Sequence, residues 1–436
     1  MTRTITEPAR EVPVAAEVDV VVAGGGPAGV GAALSAARNG ASTLIVEQFG
    51  CLGGMATSGL HHHLCTLTSA GGEDRIIGGL ATEICDRLVA QGSGWYHGPN
   101  FDYEIESMKL QLDTMMDEAG VRVLYHTFAS EALVEEGAVR GIMIANKSGR
   151  QAILARQTVD CTADADLAAS AGAPCEKGRA ADGLVQPVTL MFRVGGCDTR
   201  PVQELQRADW KLRDIWRAAI AAGDMEPFQT ELMGFWYVES RPDQIGVNFT
   251  NQTSIDPTSA WDMSRAEMVG RRQVQQTVNA MRQHLPGCEH AYLLDTAQIV
   301  GTRESRRIVG EYVLTLDDVL ACRKFADGIA KGSFFVDIHA PTGTGLHEPR
   351  YLPQGGHYDI PYRCLVPQEI ENLLVAGRCI SVTHEALGSV RVMLQCLALG
   401  EAAGCAAAMC CEDGVTPREV DTERLRGKLQ GQGGVV

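Results

Sequence analysis

The residues with the clearest chemical spacing are Gly24, Gly26 and Gly29, a Gly-x-Gly-x-x-Gly run in the segment AGGGPAGVGAAL. Gly24 permits a tight turn, Gly26 removes the side chain where a pyrophosphate must approach, and Gly29 lets a helix pack closely on a strand. A helix opened by Pro27 and Ala28 then offers unpaired N–H groups and a positive dipole end to the phosphates. The flanking elements are legible. VDVVVAG (18–24) is a continuous β-branched run, the pattern of a strand buried on both faces. GAALSAARNG (31–40) is small and helix-favouring, with Gly40 as its stop. STLIVE (42–47) gives a second buried strand, and Glu47 at its end suits the two hydroxyls of an adenosine ribose.

A second Gly-rich loop, Gly50-Cys51-Leu52-Gly53-Gly54-Met55-Ala56-Thr57, follows within a few residues. A nicotinamide dehydrogenase needs no such loop there, whereas flavoproteins fold one back over the dinucleotide. Far along the chain, NLLVAGRCI (372–380) reads as another buried strand ending in Gly377 and Arg378. The Ala/Gly-rich stretch from Gly388 and Ser389 to Cys411 reads as one long helix, whose start is expected to aim backbone N–H groups at a flavin. Both ends of the chain together favour FAD, held non-covalently: Cys51 reads as a small buried residue rather than a flavin attachment point.

On these motifs the sequence resembles the FAD-dependent oxidoreductase family within the glutathione-reductase-like flavoproteins with two dinucleotide folds. The matching segments are GGGPAGVGAAL (24–34), GCLGGMATSGL (50–60), DCTADADLAASAGAP (160–174), GTRESRRIVGEYVLT (301–315) and 358–393. The resemblance implies that Gly24, Gly26, Gly29 and Glu47 hold the ADP half. It also implies that Thr162 and Asp164 lie at the family's Ala-Thr-Gly-type strand end, and that Gly377–Arg378 form its C-terminal FAD motif. Here that strand end reads Cys161-Thr162-Ala163. Coverage is thinnest over 186–300, where the substrate is expected.

The candidate reacting groups are histidines and one arginine. In an extended segment His61 and His63 share a face and His62 points away; a flavin-side polar role and a structural one both fit. No metal is expected, since nothing nearby supplies a third ligand. His384 closely follows the Ala-Gly-Arg segment, so a base at the flavin or a loop histidine bonding backbone are its two readings. Arg303 either forms a structural ion pair with its neighbourhood, Glu304 included, or binds a substrate carboxylate through its planar fork. Asp337 and His339 are alternate residues that fit a structural role.

These residues require an α/β architecture. The expected fold is a Rossmann-like FAD-binding domain built from both ends of the chain (17–185 and 301–436), with an inserted mixed α/β substrate domain at 186–300. Within the insert, LMFRVGG, FWYVES and IGVNFTNQ read as strands and 201–223 as a helix, with Phe235, Trp236 and Tyr237 expected on the substrate wall. The 436 residues, 45% of them hydrophobic, suffice for a sizeable core. A net charge of −16 argues against nucleic-acid binding. The charged N-terminal stretch lacks a signal-peptide core, the apolar windows are interrupted by Arg38, Asn39 or Glu401, and 14 cysteines without a CxxC pair fit a reducing compartment. A cytoplasmic location without a membrane span is therefore expected.

No second Gly-x-Gly-x-x-Gly or ferredoxin-type cysteine cluster occurs. The expected activity is hydride transfer from a CH–OH, CH–NH or CH–CH substrate to flavin, with oxygen or another acceptor taking the electrons. A flavin monooxygenase and a non-catalytic electron-transfer subunit are the alternatives. Substrate and oligomeric state stay open.

Overall fold

A computed structural model describes residues 4–347 and 349–436. The strands Val14–Ala23, Thr43–Val46, Arg122–Leu124, Gly149–Asp160 and Leu373–Val375 run parallel in one sheet, so strands from both ends of the chain share it. On its other edge, away from Val14–Ala23, the first half of Gly149–Asp160 pairs antiparallel with Ala138–Asn146, which continues to Phe128–Glu135. The residues Val20 to Ala23 are fully buried, as a strand covered on both faces must be. This is the Rossmann-like α/β fold the two-ended motif pattern predicts.

Two small-residue helices, Pro27–Arg38 and Met393–Asp413, cross in direct backbone contact beside that sheet. A Cβ added at Gly400 would lie 1.9 Å from the carbonyl oxygen of Ala28, and one at Gly404 2.1 Å from that of Ala32. Glycine is therefore required there to let the axes approach. The second helix is long and apolar enough to cross a membrane (hydropathy 1.5), but 94% of its apolar window is buried inside the structure. It serves as a core helix despite passing the length criterion.

The insert folds around its own core, a four-stranded antiparallel sheet of Gly234–Val238, Arg241–Asn248, Phe192–Gly195 and Tyr292–Thr296. Two expectations are corrected. The helix expected over 201–223 is two helices, Thr199–Ala208 and Arg213–Ala222, with Leu212 at φ +50° between them. The long helix expected from Gly388 is also divided: His384–Val390 ends, the backbone is extended at Val392, and a new helix starts at Met393.

Candidate functional site

Gly24 adopts φ +95°, and a Cβ there would lie 2.4 Å from the carbonyl oxygen of Cys161. A Cβ on Gly29 would lie 1.8 Å from the carbonyl oxygen of Gly24. These two glycines serve the fold. Gly26 differs: nothing lies within 4 Å of its would-be Cβ, and it lines the mouth of a large cavity. The second loop lies against the first, with the Gly53 N–H donating to the Gly25 carbonyl (2.7 Å) and Gly54 packed on the Cα of Gly26. Glu47 is buried, and its carboxylate accepts from the N–H groups of Gly25 (2.6 Å) and Phe49 (2.8 Å), while burial pushes its pKa up. Glycine at 26, a free helix start behind it and a buried carboxylate at the second strand end form a cradle that fits the ADP half of FAD.

The cavity encloses about 530 Å³. Gly26, Pro27, Ala28, Met55, Cys161, Ala163, Gly377 and Arg378 form one side. Gly377 takes φ +94° with Ala28 packed beneath it. Arg378 ties this side together by donating to Asp164 and to the Ser305 hydroxyl, both at 2.7 Å. Thr162 turns its hydroxyl to Asp160 (2.7 Å), Ala56 accepts from the Tyr103 hydroxyl, and Thr57 donates to the Leu52 carbonyl. Cys51 lies 3.3 Å from the Ser58 hydroxyl. None of these last four is among the cavity-lining residues.

The opposite side carries His61, His63 and Arg303. His61, His63 and Trp236 form a stack, with ring centroids 4.5 Å and 5.7 Å from the indole. His63 shares its Nδ1 with Asp102 Oδ1 at 2.5 Å. His61 is half-buried as a residue, with its Nδ1 buried and unpartnered, and burial of the ring, with His63 and His62 beside it, pushes its pKa down to about 3. His62 points away, its Nδ1 3.3 Å from the Leu60 carbonyl. Arg303 is buried, and its guanidinium donates to the Pro187 carbonyl (2.7 Å) and Thr189 (2.8 Å). No described carboxylate pairs with it. Burial and then Arg391 push its pKa down to about 9.

The structure does not bring His384 to the cavity. Its ring turns the other way, with Nδ1 2.8 Å from Glu304 Oε1, and Glu304 also accepts from Arg307 at 2.6 Å. All three are buried. The reason is electrostatic: a buried carboxylate demands cationic or hydrogen-bonding partners, and His384 is one of them. Gly388 and Ser389 also lie off the cavity. A Cβ on Gly388 would come 3.0 Å from the Asp337 carbonyl, and Ser389 bonds Tyr358 and Phe334. The helix start that reaches the cavity is Val392–Met393. Of the three insert aromatics, only Trp236 lines the cavity; Phe235 packs on Trp216, and Tyr237 bonds Gln206.

Asp337, His339 and Arg391 line the cavity beside Arg303. Arg391 donates to Asp337 at 2.8 Å, and His339 lies 3.3 Å from the same carboxylate. Burial alone would raise Asp337, yet His339 and Arg391 beside it hold it well below the usual carboxylate range. Burial, and then Arg303, push His339 down to about 4. The alternation of Asp337 and His339 was the only sequence signal for this cluster.

A family model described as FAD dependent oxidoreductase matches residues 19–429. The chain belongs to the FAD-dependent oxidoreductase family. Its cofactor is FAD, held non-covalently. Solved structures that resemble it include a geranylgeranyl bacteriochlorophyll reductase-like protein from Thermoplasma acidophilum (13% identity, TM-score 0.48, 96% of this chain and 84% of that one). Another is a p-nitrophenol 4-monooxygenase from Pseudomonas putida (10% identity, TM-score 0.45, 92% and 82%). A third is a myxobacterial chondrochloren halogenase (13% identity, TM-score 0.44, 95% and 78%). No curated protein sequence matches it significantly.

Proposed function

We propose that this FAD-dependent oxidoreductase oxidises a small carboxylate-bearing substrate at a CH–OH or CH–NH carbon. The observation that carries this reading is Arg303, a buried guanidinium facing the cavity with no carboxylate among the described residues paired to it. A planar fork held by Pro187 and Thr189 is pre-oriented to take a carboxylate. FAD, when bound, supplies the two-electron acceptor. The chain's own residues do the rest. Arg303 anchors the substrate, and Trp236 with Met55 and Met191 walls it from water. His63 takes the hydroxyl or ammonium proton at Nε2, because Asp102 occupies Nδ1 and fixes the tautomer.

Hydroxylation of an aromatic substrate is the second reading, supported by the apolar wall of Trp210, Met233, Trp236, Phe334 and Phe335. Anaerobic rapid mixing with a panel of 2-hydroxy and 2-amino carboxylates separates the two. Bleaching near 450 nm by one of them, slowed roughly 10- to 10²-fold in Arg303→Met, is the expected result, that range being the scale of a lost charged hydrogen bond. Bleaching by NAD(P)H alone, with every carboxylate inert, would discard oxidation in favour of hydroxylation.

A further inference from the structure

We infer that His63, Asp102 and His97 form a proton relay leading from the cavity to a separate groove on the surface. The inference rests on the reading that substrate is oxidised at His63. A small antiparallel sheet sets the geometry. His63 is directly opposite Asp102 on the neighbouring strand, and Asp102 is opposite Trp95 on the strand beyond. His97 is two residues past Trp95, so all three side chains rise from one face of the sheet.

The spacing forms a continuous path. His63 Nδ1 is 2.5 Å from Asp102 Oδ1, and His97 Nε2 is 3.6 Å from Asp102 Oδ2. The latter gap is wide for a direct bond, but a turn of the exposed His97 ring or one bridging water spans it. Asp102 is the most buried of the three, at 12% side-chain exposure against 18% for His63, and His97 at 45% is the one that opens to solvent. His63 lines the cavity, whereas Asp102 and His97 line a separate surface groove. Trp236 stacks on His63 and fixes its ring at the inner end.

The proton balance is simple. The substrate gives its hydride to the cofactor and its hydroxyl or ammonium proton to His63 Nε2. The Nδ1 proton of His63 passes to Asp102, rotation of that carboxyl delivers it to His97 Nε2, and His97 releases its Nδ1 proton to water. A ring flip or reprotonation resets His63. No oxidant is consumed beyond the cofactor's own acceptor.

The test needs no substrate. The FAD-loaded protein, reduced with dithionite and desalted under argon, is mixed with two equivalents of ferricyanide in weakly buffered solution containing phenol red. Ferricyanide takes the two electrons, and the one proton that reoxidation releases into the cavity would be taken up by His63 Nε2, at the inner end of the relay, before it reaches solvent. In the native protein the dye signal should keep pace with colour return at 450 nm. In His97→Gln the dye should lag at least ~5-fold, and in Asp102→Asn at least ~10-fold, a general-base-sized effect divided over two steps. Free imidazole, with the dye response recalibrated by added acid at each imidazole concentration, should restore the timing in His97→Gln but not in Asp102→Asn, a rescue that a structural role would not produce. His290→Gln, an exposed histidine elsewhere, should behave as native. Dye and colour in step in both relay variants, or a lag that imidazole leaves unchanged in His97→Gln, would overturn the relay. Either result leaves the substrate reading to the carboxylate panel, so the two failures are distinct.

Discussion

Gly26 and Gly29 stand three residues apart in one motif, yet the structure assigns them opposite roles, and a pair of substitutions separates them. At Gly26 an added Cβ meets nothing within 4 Å, and the backbone (φ −67°, ψ −176°) suits any residue. Gly26→Val should therefore change folding stability by no more than about 1 kcal/mol, mostly the weaker helix N-cap. At Gly29 the added Cβ would lie 1.8 Å from the Gly24 carbonyl oxygen and 2.9 Å from its carbon, both backbone atoms that cannot rotate away. Alanine would gain about 1 kcal/mol of helix propensity. Overpacking of backbone against backbone exceeds that, at roughly 3 kcal/mol or more, so Gly29→Ala should be destabilising on balance. Cofactor retention should follow a different order. A branched side chain at Gly26 projects into the mouth of the cradle, and a ~10²-fold loss of FAD affinity, about 3 kcal/mol, is expected. The assay is the 450 nm to 280 nm ratio after gel filtration, with denaturation midpoints of both proteins measured after cofactor removal, since bound FAD itself stabilises the fold. Gly26→Val should be colourless and nearly as stable as native apoprotein. Stoichiometric FAD in that variant, or a midpoint falling as far as that of Gly29→Ala, would refute the assignment.

Two further outcomes follow from buried charges. His384→Ala should lower stability by roughly 2–4 kcal/mol by stripping one partner from buried Glu304, with FAD content unchanged, as read by thermal melts and visible absorbance. A native melting temperature would return His384 to candidacy as a base. Glu401 is buried with the Leu80 N–H on its carboxylate (3.1 Å), and burial pushes its pKa up to about 7. A carboxyl raised in the folded state stabilises below its unfolded value of about 4.5, and that contribution is lost as pH rises to about 7. Glu401→Gln should thus be more stable than native at pH 8, by up to about 3 kcal/mol, and flatter between pH 4.5 and 7 in a pH series of melts. A native-like slope in the variant would contradict the burial argument.

The cofactor cradle was legible because its constraints are local: a turn that only glycine makes, a strand buried on both faces, and a carboxylate one strand away all fall within 30 residues. The helix contact built by Gly400 and Gly404 was legible only as small-residue composition, because its partners Ala28 and Ala32 lie some 370 residues earlier in the chain. His384 was misplaced for the opposite reason. It lies six residues after Arg378, which does line the cavity, but nearness in sequence says nothing about which way a ring turns. That direction is decided by Glu304 and Arg307, charges that only the folded chain buries together. The same holds for the break before Met393. A continuous Ala/Gly-rich pattern predicts one helix, yet the interruption is what lets Arg391 reach back to Asp337 while Val392 and Met393 open a fresh helix start at the cavity. His61 and His63, by contrast, were correctly paired on one face from strand alternation alone. What alternation cannot supply is the partner: Asp102 arrives from a strand 39 residues away, by sheet register. Composition and period thus fix which residues travel together, whereas the long-range pairing of buried charge decides where each of them points.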